Sequence, residues 1–97
     1  MKEMLIGLIP EGRENAVTRE YLCSMTGLSD REVRKTIEGL RNDGFFICNN
    51  GDGYGYYISN DINQLTRQYR NDTARAMAIL RRRKHIRNYL KQRGVKV

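Results

Sequence analysis

Arg81, Arg82, Arg83, Lys84, Arg87, Lys91, Arg93 and Lys96 stand in the run RRRKHIRNYLKQRGVK, and from residue 73 to the end there are nine Lys or Arg and no acidic residue. Up to residue 72 the count is nine Lys or Arg against eleven Asp or Glu, so a head of net charge −2 precedes a tail of +9, and the whole-chain +7 belongs to the tail. Blocks of one sign mark nucleic-acid contact, because ammonium and guanidinium groups displace the counterions that screen a phosphate backbone. A solvated helix end helped by the macrodipole accounts for one or two cations but not for eight. A membrane surface fits less well, since only Ile86, Tyr89 and Leu90 offer insertion along this segment and no aromatic anchor flanks it.

Other chemistries find little material. Cys23 and Cys48 sit in the apolar contexts YLCSM and FFICNN without a Cys-x-x-Cys spacing, and the single His85 lies among Arg and Lys. A zinc site needs about four convergent ligands, so the two thiols read as small core residues and no metal is expected. No nucleophile and base recur at a recognisable spacing, no glycine-rich phosphate loop opens a helix, and no carboxylates cluster. The chain reads as a non-enzyme without cofactor. MLIGLIP is short, lies between Glu3 and Glu11, and lacks a basic leader; no apolar run approaches the ~20 residues of a membrane span. The expectation is a cytoplasmic chain with no membrane partner.

The second chemical candidate is SDREVRKTIEGLRNDG, in which Arg31, Arg34, Lys35 and Arg41 balance Asp30, Glu32, Glu38 and Asp43. Ser29-Asp30-Arg31-Glu32 has the spacing of a capping box, which starts a helix. Val33, Ile37 and Leu40 then fall at i, i+4 and i+7, which buries one face and turns Arg31, Arg34, Lys35, Glu38 and Arg41 outward. Asn42-Asp43-Gly44 ends it. Ahead of this helix, a short helix over residues 1–9 carries Met1, Leu5, Leu8 and Ile9, and Pro10 with Gly12 closes it. ENAVT leaves room for a short extended piece. Thr18 caps a second helix over residues 19–25 that buries Leu22 and Cys23, and Gly27 supplies the left-handed residue of a tight turn.

After the mixed-charge helix, FFICNN and YGYYIS are β-rich runs about Gly51-Asp52-Gly53, where Asn50-Gly51 or Asp52-Gly53 provides the turn of a hairpin. Asp61 and Gln64 repeat the cap spacing, and nothing strongly breaks a helix from there to about residue 93. Leu65, Tyr69, Ala76, Ile79, Ile86 and Leu90 keep an a/d register along it, with Asp72 and Arg83 in two of the seam positions. Two readings of that stripe stay open: packing of its first half on the head, or a homodimer seam. The fold class expected is mostly α with a small β-wing, residues 1–60 forming the head and residues 61–97 a C-terminal helix with a basic tail.

Helix, short strand, helix, tight turn, helix and two-stranded wing is an order that resembles the winged helix-turn-helix superfamily, in particular small bacterial and phage regulators such as the N-terminal domain of the biotin operon repressor. The likeness rests on Leu22 and Cys23, Gly27-Leu28-Ser29, Val33, Ile37 and Leu40, Gly44, and GDGYGYYI, which together cover less than half of the chain. It implies that the third helix enters a DNA major groove with Arg31, Arg34, Lys35, Thr36 and Glu38, while the wing meets a neighbouring backbone or minor groove, with Asn49, Asn50 and Tyr54 as donors to phosphate. Arg forks onto guanine and Glu accepts from cytosine, so a neutral face can still discriminate bases. The wing departs from the family pattern, having no Lys or Arg and carrying Asp52; as a plain hairpin it would simply cap the core. Two functions follow: a transcription or replication regulator that binds double-stranded DNA, its tail supplying affinity, or an adaptor or inhibitor that binds a protein of a larger nucleic-acid machine.

Overall fold

Local signals set most of the boundaries in the computed structural model, which describes residues 1–51 and 54–97, without the side chain of Tyr54. Of the two hairpin turns expected, Asn50-Gly51 is strand instead, and Asp52-Gly53 lies outside the described residues. Helix α1 spans Lys2–Leu8, α2 Arg19–Thr26 and α3 Asp30–Asn42; strands β1 (Ile47–Gly51) and β2 (Tyr54–Ile58) follow, then helix α4 (Ile62–Gln92). The molecule is thus mostly helical with a small two-stranded antiparallel sheet and a long C-terminal helix, the fold class expected.

Helices α2 and α3 are each closed by the chemistry their sequence carries. The Thr18 hydroxyl accepts the Tyr21 N–H at 3.0 Å, satisfying one orphan donor of α2. Gly27 ends α2 at φ 74°, with its N–H on the Cys23 carbonyl. The capping box of α3 is complete: Glu32 N–H donates to Ser29 Oγ at 3.1 Å, and Ser29 N–H to Glu32 Oε1 at 3.2 Å. At its other end Gly44 N–H reaches the Arg41 carbonyl and Phe45 N–H the Leu40 carbonyl, a Schellman closure with Gly44 at φ 102°. The same closure recurs where α4 stops, with Gly94 on Lys91 and Val95 on Leu90.

Leu5 and Ile9 from the α1 segment, Leu22 of α2, Val33, Ile37 and Leu40 of α3, Ile47 of β1 and Tyr56 of β2 form one buried core. Val17, Cys23 and Leu28 pack against it, while Met1, expected in the apolar stripe, is exposed. The hairpin pairs Ile47 with Ile58, Cys48 with Tyr57 and Asn49 with Tyr56. The extended piece expected near ENAVT adds a third edge: Val17 and Tyr56 exchange both backbone hydrogen bonds, and Ile58 N–H donates to Pro10. A single 3-10 turn, Arg13–Asn15, separates these two attachments.

Phe45 and Phe46, expected in the first strand, precede it instead, and both are exposed. The reason is the Schellman closure, which uses the Phe45 N–H on the helix and leaves it unable to join a ladder. The Asp61 cap also differs from expectation. Its carboxylate accepts the Gln64 N–H at 2.9 Å, but the Gln64 side chain turns to the Ser59 hydroxyl, which in turn accepts the Asp61 N–H.

The chain divides into two compact units, Met1–Leu65 and Thr66–Val97, a division later than the one expected at residue 60. In the second, every residue from 69 to 89 is exposed, and α4 as a whole buries none. Among the described residues no helix is long and apolar enough to cross a membrane.

Candidate nucleic-acid interface

Helix α3 presents its charged residues because its apolar ones are spoken for. Val33, Ile37 and Leu40 face the core at 2% exposure or less, so Arg31, Arg34, Lys35 and Glu38 share the opposite, exposed face with Asn42. Asn42 belongs to that face by the same periodicity, although its sequence context marks it only as part of the helix stop. Thr36 falls on the flank instead. It is half-buried, and its hydroxyl donates to the Glu32 carbonyl at 2.7 Å, so it serves its own helix rather than the outer face.

The start of α3 holds an arrangement the sequence does not disclose. Asp30 accepts from Arg19 at the start of α2 through one carboxylate oxygen, and its other oxygen lies 3.2 Å from Arg34 Nε one turn on. Arg19 also reaches the Tyr56 hydroxyl at 3.4 Å. The Tyr56 hydroxyl, then the Asp30 carboxylate, raise the Arg19 pKa above its ordinary value. One acid therefore joins α2, α3 and, through Arg19, β2, and it holds the Arg34 guanidinium beside the outer face. The only linear signal is a base opening one helix and an acid opening the next.

Arg41 corrects a further expectation. It does not point outward: half-buried, it donates from Nε to the Ile47 carbonyl at 2.9 Å and from Nη2 to Asn49 Oδ1 at 3.1 Å. The same bond turns the Asn49 side-chain oxygen toward the scaffold. Asn50 is exposed, with its amide over Gly55, where an added Cβ would meet Nδ2 at 2.6 Å. The side chain of Tyr54, the third wing residue expected to touch phosphate, lies outside the described residues. Lys2 is likewise committed, bonding Asp43 at 2.9 Å.

Along the second unit, Arg81, Arg82, Arg83, Lys84, Arg87 and Lys91 are all exposed, and among the described residues no ion pair engages any of them. Arg93 differs, its guanidinium standing 5.2 Å from the Tyr89 ring centroid. Helical spacing puts Arg83, Lys84, Arg87 and Lys91 on one side, with Arg81 and Arg82 around the other. Of the seam residues, Tyr69, Ala76, Ile79 and Ile86 are exposed, while Leu65 and Leu90 are half-buried.

No family model matches the chain, and no curated protein or solved structure matches it either.

Proposed function

We propose that this chain is a DNA-binding protein of the winged-helix kind, a regulator of transcription or replication in bacteria or their phages, with α3 selecting sequence and the tail of α4 holding phosphate. The observation that carries the reading is the cation run from Arg81 to Lys91. Among the described residues no ion pair neutralises it, and like charges one turn apart, Arg83 with Arg87 and Arg87 with Lys91, oppose helix formation until an anion relieves them. A nucleic-acid backbone, a dense row of phosphates, is such an anion. Selectivity then rests on Arg31, Arg34, Lys35 and Glu38, which offer two guanidinium forks, an ammonium and an acceptor on one exposed face.

Titration of labelled duplex at several salt concentrations tests this. Each phosphate neutralised contributes about −0.9 to the slope of log affinity against log salt, so replacing Arg81, Arg82, Lys84 and Arg87 together by Gln flattens the slope by about three to four. Binding no tighter than about millimolar at low salt, or a slope that the replacement leaves unchanged, overturns the reading.

A second reading, an adaptor that binds a protein of the nucleic-acid machinery, draws on a specific observation: Arg34 is paired with Asp30, and Arg41 is tied to Ile47 and Asn49, which leaves fewer head cations directed at a phosphate. A stoichiometric protein partner retained through nuclease treatment, together with salt-insensitive binding, is its signature.

A further inference from the structure

The seam of α4 holds two charges that a simple apolar stripe would not. Tyr69, Ala76, Ile79 and Ile86 are exposed, and between them, in the same register, stand exposed Asp72 and Arg83. A charge in an a/d position destabilises a paired helix unless its opposite meets it. What would meet each is decided by the direction of pairing.

We infer that two copies of the chain pair through α4 in antiparallel orientation, with Asp72 of each facing Arg83 of the other. In an antiparallel pair each a residue packs against a d residue of the second helix. The register that brings Asp72 opposite Arg83 also sets Ala76 opposite Ile79, Tyr69 opposite Ile86 and Leu65 opposite Leu90. Every layer is then matched: two apolar layers on either side of each ion pair, and small against large at the centre. Displacing the register by one heptad puts Asp72 against Leu90 or Ala76, and Arg83 against Ile79 or Leu65, so a charge meets hydrocarbon in both cases. The parallel, in-register alternative sets Asp72 against Asp72 and Arg83 against Arg83.

The flanking residues do not decide between directions. Antiparallel pairing brings Arg75 near Arg82 of the second copy, and parallel pairing brings Arg82 near Arg87, two like-charge contacts per dimer in each. Asp72 is the last acid in the chain and Gln68 donates to it at 3.0 Å, which orients the carboxylate along the helix surface. Pairing removes Arg83 from the free cations but leaves Arg81, Arg82, Lys84, Arg87 and Lys91 outside the seam. The inference therefore stands whether or not the tail meets DNA.

Sedimentation equilibrium on the full chain tests it, comparing the wild type with Asp72→Arg, with Arg83→Asp and with the double exchange. Both positions are exposed in the single chain, and a retained thermal transition of the head by circular dichroism shows each variant folded. The wild type is expected to dimerise, each single exchange to weaken dimerisation about tenfold or more, and the double exchange to return it to within about threefold of wild type. A wild type that is monomeric at about 100 μM overturns the inference. So does a double exchange as weak as the singles, because parallel pairing meets like charges in all four proteins.

Discussion

Two arginines of α3 differ in their surroundings: Arg34 lies on the exposed face proposed for recognition, and Arg41 is bonded into the scaffold. Arg34 is 57% exposed on its side chain and its contact with Asp30 is solvent-screened, worth about 0–1 kcal/mol. Arg34→Ala is therefore expected to leave the urea midpoint nearly unchanged while costing about 1–3 kcal/mol of discrimination at one base pair, read by competition between variant duplexes. Arg41 does the opposite work. Its two hydrogen bonds tie the end of α3 to β1, and Arg41→Ala is expected to lower unfolding free energy by about 1–3 kcal/mol with no change in base preference of the folded fraction. The helical period alone assigns both to the outer face. It cannot separate them, because the partners of Arg41 are a strand carbonyl and a side chain that only tertiary folding brings near. The Arg19–Asp30 contact escapes a linear reading for the same reason.

The turn between α2 and α3 shows what a linear reading can and cannot recover in an element. Gly27 has φ 74° and a Cβ there would meet nothing within 4 Å, so Gly27→Ala carries a purely conformational penalty of about 1 kcal/mol or more, measurable as a shift of the urea midpoint at constant slope. Such signals are local: Thr18, Gly27, the Ser29–Glu32 box and the Val33, Ile37, Leu40 spacing each act within a few residues, and the helix boundaries follow from them. The hairpin is less legible. Its aromatic run begins at Phe45, but the helix closure takes that residue's N–H, and strand propensity yields to a hydrogen bond already made. Gln64 departs from the cap spacing because buried Ser59, at 7% exposure, competes for its side chain. The candidate face of α3 is legible from period alone, whereas the state of its flanks is not.

At the scale of the molecule, a head of net −2 precedes a tail of +9, a split that the proposed function assigns to selectivity and grip, and the two compact units separate at Leu65, close to where the charge changes. The head is held by a core drawn from five elements, and its backbone amides are expected to exchange with deuterium only through cooperative unfolding. The exposed stretch from residue 69 to 89 has no such protection. A helix without a buried face is marginal in water, so at high dilution its amides are expected to exchange orders of magnitude faster than those of Leu22, Ile37 and Leu40 when followed by mass spectrometry. Those peptides should slow as protein concentration or a bound polyanion rises, while the head stays unchanged. The bare helix thus makes deuterium uptake a gauge of occupancy: whatever covers it writes its footprint into the lifetimes of its amides.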